Sequence, residues 1–183
     1  MTYALVAQWT EHLNGLYVVC VGCGLRLGEV LALQWEDVNF ESSTISINRT
    51  LQYLPGRGLV MGEPKSEKSR RLVSMPAFVA NALKSYQKHN GLLFTTGNGT
   101  PFSPRNIQRH FENTLEKAGL PKINFHGLRH TYATIMLQQN VHPKTVQEAL
   151  GHSSISLTLD TYSHVVPSLQ KEAADKFDKV LSM

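Results

Sequence analysis

The sequence predicts an α+β domain, mainly helical, with a small antiparallel sheet inserted before its midpoint. Three observations lead there. Apolar residues recur at helical spacing from Leu5 to Leu33 and again from Pro76 onward, residues 44–48 and 71–75 alternate as strands do, and 183 residues make one domain's worth of chain. A chain of that length buries roughly 70 % of its unfolded surface, enough for a core without disulfides or metal staples.

Taken in order, Leu13, Leu16, Tyr17, Val18, Val19 and Val21 belong to a first helix that weakens around Gly22-Cys23-Gly24, because two glycines so close together disfavour a continuous helix. A second helix is expected from Arg26, carrying Leu27, Val30, Leu31 and Leu33, to about Trp35. Thr44-Ile45-Ser46-Ile47-Asn48 alternates as a strand, Pro55-Gly56-Arg57-Gly58 turns the chain, and Arg71-Leu72-Val73-Ser74-Met75 is a further strand before Pro76. Helical spacing returns with Phe78, Val79, Ala82, Leu83 and Tyr86 and is expected to end near Asn90-Gly91.

Leu92-Leu93-Phe94 is a short buried piece. Pro104 then opens a helix with Ile107, Phe111, Leu115 and Ala118, as proline does at a first turn. The next helix begins near His126 and carries Leu128, Tyr132, Ile135 and Leu137; another runs from Pro143 to a stop at Gly151, and one more covers about Ser154 to Tyr162. After Pro167, Leu169, Ala173, Phe177, Val180 and Leu181 form one stripe of a short amphipathic tail helix, about 167–181, that packs on its own domain or on a neighbour's.

Composition excludes several classes. No apolar run approaches the roughly 18 residues that cross a bilayer, and no basic segment precedes a signal-peptide core, so a cytoplasmic protein without a membrane role is expected. Cys20 and Cys23 have no second cysteine pair, and their apolar helical setting makes them small buried hydrophobes. His126 and His130 stand four apart, but Gly127 occupies the place of the glutamate that a zinc-protease helix uses as its base. No group of carboxylates suits magnesium, and no cofactor or metal is expected. The charge is uneven: between Arg49 and Arg71 six basic residues face two acidic ones, and the rest of the chain balances. Such a run suits contact with a polyanion or is simply solvated.

His126 and Arg129 are three apart and can address one site from the first turn of a helix, although that spacing is common on helix surfaces. More telling is the wider set. Gly24-Leu25-Arg26-Leu27-Gly28-Glu29 puts an arginine at a helix start between glycines that permit close approach, Pro64-Lys65-Ser66 lies in the basic region, and Gly151-His152 is followed ten residues later by Tyr162.

These segments resemble the catalytic domain of the tyrosine recombinases, the phage-integrase family. Gly24 to Glu29 is similar to the family's first arginine box, Lys65 to its hairpin lysine, His126-Gly127-Leu128-Arg129-His130-Thr131 to its His-x-x-Arg box, Leu150-Gly151-His152 to its third box, and Tyr162 to its nucleophile. The resemblance runs from about Gly22 to His164 and implies a mainly helical domain with a small sheet.

It also implies a chemistry. Attack of a tyrosine oxygen on a phosphodiester builds negative charge on the phosphate oxygens, which Arg26 and Arg129 would stabilise through fixed bidentate forks. A phenol with an ordinary pKa of about 10 needs a proton acceptor, for which the family pattern offers His126; Lys65 would protonate the departing 5′ oxygen, with Lys68 in the same loop, and His152 would hydrogen-bond the phosphate. Glu29 would orient an arginine from behind, or else favour a helix dipole. His130, with the slot filled by His126, is expected to be structural, and Tyr132 core.

The product would be a 3′-phosphotyrosine, reversible without ATP. The implied function is that of a site-specific recombinase or integrase acting on double-stranded DNA; relaxation of a single duplex, as in type IB topoisomerases, and DNA binding without catalysis are the other classes open to the same residues. The family's preceding core-binding and arm-binding domains have no room before residue 22, so residues 1–183 are expected to be catalytic domain alone. Self-association into a tetramer on DNA through the C-terminal tail is expected from the same resemblance.

Overall fold

The computed structural model describes residues 11–64, 69–86 and 90–161 together with 174, 175, 177, 178, 180 and 181. Helix α1, Glu11–Cys23, is the spine of the core. Leu16, Tyr17, Val18, Val19, Cys20, Val21 and Cys23 are all buried, so from Leu16 on this helix is apolar around its circumference, as a helix wrapped by others must be. Gly24 closes it with a left-handed φ of 65°, its N–H donating back to Cys20 O at 3.0 Å.

Helix α2 is shorter than its apolar spacing suggests, covering only Leu27–Leu31. The reason is non-local: Leu33 O accepts from Leu93 N, Gln34 bridges to Leu92, and Trp35 N donates to Gly91 O. That strand-like pairing pulls residues 33–35 out of the helix. Trp35–Asp37 is a separate 3-10 turn. Gly28 shows why α2 carries glycine, since a Cβ there would stand 2.7 Å from the carbonyl oxygen of Leu51.

The central segment forms two small sheets where one was expected. Strands β1 (Val38–Asn39), β2 (Thr44–Ile47) and β5 (Arg71–Ser74) make an antiparallel sheet in the order β1-β2-β5, with Thr44 opposite Ser74 and Ile47 opposite Arg71. Strands β3 (Thr50–Leu54) and β4 (Gly58–Gly62) form a separate hairpin, Thr50 opposite Gly62 and Leu54 opposite Gly58. The hairpin exposes Tyr53 and Met61 and buries Leu51 against α2.

Helix α3, Ala77–Lys84, starts after Pro76 and stops six residues short of Asn90. Beyond it the Tyr86 hydroxyl turns back to accept from Gly15 N in α1 at 2.9 Å. Helices α4 (Pro104–Lys117), α5 (His126–Gln138), α6 (Pro143–Leu150) and α7 (Ile155–Thr161) follow the sequence expectation closely. The main core gathers α1, α2, the three-stranded sheet, α3 and α4; a smaller cluster of Tyr132, Ala133, Leu137, Val146 and Leu150 joins α5 to α6. Tyr132 is core, as expected. The tail helix expected over 167–181 lies largely outside the described residues; Phe177, Val180 and Leu181 are exposed.

Candidate active site

The site is assembled around the C-terminal end of α6. A helix end leaves carbonyls without intrahelical partners and carries partial negative charge. Here three successive carbonyls are taken by three arginines from three other elements. Arg71 Nε donates to Ala149 O at 2.6 Å, Arg129 Nη2 to Leu150 O at 2.6 Å, and Arg26 Nη2 to Gly151 O at 3.3 Å. Gly151 turns the chain with φ 63° and ψ 42°, the left-handed conformation that glycine adopts without cost, and leads directly to His152.

Arg129 is 1 % exposed and also donates to Gly24 O at 2.8 Å. It therefore ties α5 to the turn after α1 as well as to α6. Arg26 precedes the first residue of α2; its backbone N–H and Nη1 donate to the two carboxylate oxygens of Glu29, at 2.9 and 2.7 Å. Arg71 grips the same carboxylate from the other side, at 3.1 and 2.9 Å. Burial alone would raise the Glu29 pKa, but the bonds and charge of Arg71 and Arg26 hold it below the ordinary carboxylate value. Glu29 is thus a buried anion between two guanidiniums, in contact with the arginine it was expected to orient.

His126 is the first residue of α5, one turn before His130, and their rings meet edge to face with centroids 4.7 Å apart. Burial, His130, Arg129 and Arg26 lower the His126 pKa; burial and Arg129 lower that of His130. His130, expected to be structural, thus borders His126. His152 is 9 % exposed, and its pKa falls to about 4 through burial, then through Arg129, Arg26, His126 and Arg71. Both His126 and His152 are neutral imidazoles near neutral pH.

The structure thus brings Arg26, Glu29, His126, Arg129 and His152 into one electrostatic neighbourhood. Lys65 and Tyr162 lie outside the described residues; the described chain resumes at Ser69 after the first, and α7 ends one residue before the second.

Three participants escaped the sequence reading. By sequence Arg71 belongs to the basic run and to a strand but to no site, although it shares the inward strand face with buried Val73, and an inward arginine demands an anion. Gln147, on α6, donates to His152 O at 2.7 Å and accepts from Lys144 Nζ at 2.8 Å. Thr158 is fully buried with Oγ1 2.9 Å from Nδ1 of His152. The basic run itself is partly consumed internally, since Arg49 pairs with Asp37 and Glu36, and Arg70 with Glu63. Cys20 and Cys23 are buried; burial pushes both thiols up, Cys23 to about 12. Among the described residues no group of three His, Cys, Asp or Glu is placed to hold a metal ion, and no helix is long and apolar enough to cross a membrane.

Over residues 6–168 the sequence matches the phage integrase family. The chain belongs to that family. Among phage integrase relatives it is 31 % identical to a XerC-like tyrosine recombinase of Caldanaerobacter subterraneus subsp. tengcongensis, over 90 % of this chain and 49 % of that protein. It is 30 % identical to the ICEBs1 integrase of Bacillus subtilis, over 97 % of this chain and 52 % of the relative. The chain therefore spans about half the length of these relatives. Its fold superimposes with a TM-score of 0.79, at 25 % identity, on the Tn1549 transposon integrase in complex with a circular intermediate DNA, covering 88 % of this chain and 59 % of that one. The mixed α+β architecture with its small antiparallel pairing is that of the tyrosine recombinase catalytic domain, in a family of DNA recombination and integration proteins.

Proposed function

We propose that this chain is the catalytic domain of a site-specific DNA recombinase or integrase that cuts and rejoins strands through a 3′-phosphotyrosine on Tyr162. The observation that carries the reading is the convergence of Arg26, Arg129, His126 and His152 on the end of α6. Two guanidiniums held in place before substrate arrives can meet charge that develops on the phosphate oxygens with little reorganisation, which is where electrostatic catalysis gains most. Arg26, with its side chain 37 % exposed, keeps guanidinium N–H groups for a ligand beyond those given to Glu29 and Gly151 O, while buried Arg129, bonded to Gly24 O and Leu150 O, adds its charge from behind.

The step balances without a metal ion or nucleotide. The Tyr162 oxygen bonds to phosphorus as its proton passes to His126, which is neutral and able to accept it. The bond from phosphorus to the 5′ oxygen breaks, and Lys65 supplies the proton that makes a 5′-hydroxyl. His152 donates to a phosphate oxygen, and Glu29 keeps Arg26 aimed. Each acid or base contribution of this kind is worth about 10²- to 10⁴-fold. A 5′-hydroxyl from another duplex reverses the sequence and completes strand transfer.

Double-stranded DNA is the partner, and the exposed Phe177, Val180 and Leu181 support association of copies through the tail once DNA aligns them. Sedimentation is expected to show a monomer free and a higher assembly on DNA; a stable tetramer without DNA contradicts this part. The decisive test is incubation of wild type and Tyr162→Phe with supercoiled and nicked duplex in chelator, followed by a denaturing gel. A covalent protein–DNA band that the variant loses supports the reading. Strand relaxation without exchange between duplexes redirects it toward a topoisomerase. Binding without any adduct, on DNA that a longer relative cleaves, counts against catalysis.

A further inference from the structure

His152 is held from three directions. Its backbone N–H donates to Gln147 O at 3.1 Å, its carbonyl accepts from Gln147 Nε2 at 2.7 Å, and its ring Nδ1 lies 2.9 Å from Thr158 Oγ1. The first two bonds fix the backbone and leave the ring free to rotate. Among the described residues, Thr158 is the one that hydrogen-bonds the ring. Thr158 is fully buried, and it sits on α7, the helix that runs up to Tyr162 four residues later.

A neutral imidazole has one nitrogen that donates and one that accepts. Burial, reinforced by the surrounding arginines, keeps this ring neutral, so its two tautomers are chemically distinct tools. If Nδ1 carries the proton and donates to Thr158, Nε2 presents a lone pair, which repels a phosphate oxygen. If the threonine hydroxyl donates to Nδ1, the proton sits on Nε2 and is available to an anion.

We infer that Thr158 is a positioning residue, whose hydroxyl donates to Nδ1 of His152 and thereby fixes the ring as the Nε2–H tautomer that donates to the phosphate. The inference rests on the preceding reading of His152 as a phosphate donor. Because the bond joins the segment just after α6 to α7, it also couples the orientation of the phosphate donor to the helix that ends one residue before Tyr162.

The test is long-range nitrogen-15 NMR of the full chain labelled in histidine, with His152→Gln assigning the resonances. Wild type is expected to show a protonated Nε2 and a bare, hydrogen-bonded Nδ1. Thr158→Val, close in shape, is expected to give a mixture of tautomers and to slow covalent adduct formation roughly 5- to 10-fold with DNA binding unchanged, the scale of one lost hydrogen bond. Thr158→Ser restores both. A proton on Nδ1 in wild type overturns the inference even if the valine variant fails to fold, and so does a valine variant that retains the Nε2–H form. Absence of an adduct in wild type defeats the recombinase reading and leaves the tautomer measurement to judge Thr158 independently.

Discussion

Arg70 and Arg71 are adjacent in the chain and meet opposite physical conditions. Arg70 pairs with Glu63 at 2.7 Å where both side chains are more than half exposed; Arg71 pairs with Glu29 at 2.9 Å where both are almost wholly buried. The first belongs to the region around the β3–β4 hairpin, the second to the arginine junction at the end of α6. In water a single ion pair is worth about 0–1 kcal/mol and is screened by salt. At the junction the charges have already lost their water, so each needs its partner, and removal of one leaves the others exposed to the full desolvation cost. Similar distances therefore describe a replaceable contact in one region and a structural requirement in the other.

The contrast is broken most severely at its centre. Glu29→Gln removes the anion between Arg26 and Arg71 and is expected to cost about 3–5 kcal/mol, read as a fall in the urea midpoint at unchanged m. A loss below about 1 kcal/mol would place the junction in the same class as the surface. Arg71→Met leaves Glu29 with Arg26 alone and drops the bond to Ala149 O; about 2 kcal/mol is expected, with adduct formation impaired through Arg26.

Acid sharpens the comparison next. The folded pKa of His152, about 4, lies below its unfolded value of about 6.5, so the unfolded chain binds the extra proton between those limits and stability falls as pH drops through that window. Glu29, also depressed, adds a further loss below its ordinary range of about 4.5. Thermal unfolding from pH 7 to 4 is expected to show the decline, and His152→Gln to flatten its upper part; an unchanged slope in that variant assigns the acid sensitivity elsewhere. Gly151→Ala forces a side chain into left-handed backbone and is expected to cost about 1 kcal/mol. Arg70→Gln is the smallest effect, within about 0.5 kcal/mol and shrinking with added salt.

Much of this was legible in the chain. Proline at the first turn of α4 and α6, and glycine after α1 and α6, mark helix ends because capping depends on the residues at the end itself. Arg26, Glu29, His126, Arg129 and His152 were identifiable from their motifs, whereas Arg71 was not. Other features were not. The short α2 could not be read from residues 27–35, because the interaction that ends it comes from residues 91–93. The separation into two sheets depends on β5 returning to β2 past the hairpin. Thr158 looked like an ordinary helical threonine until its hydroxyl was seen beside His152.

The sequence by itself determined where helices start and stop, which segments alternate, and which residue types are available for phosphate chemistry, since these follow from backbone sterics and side-chain identity within a few positions. The tertiary structure alone decided which guanidinium is a surface charge and which is a buried support. That choice rests on bonds spanning 42 residues from Arg71 to Glu29, 78 to Ala149, 105 from Arg129 to Gly24 and 125 from Arg26 to Gly151. Burial and charge pairing are set by everything that packs around a group, and in this chain the groups that matter most come from its opposite ends.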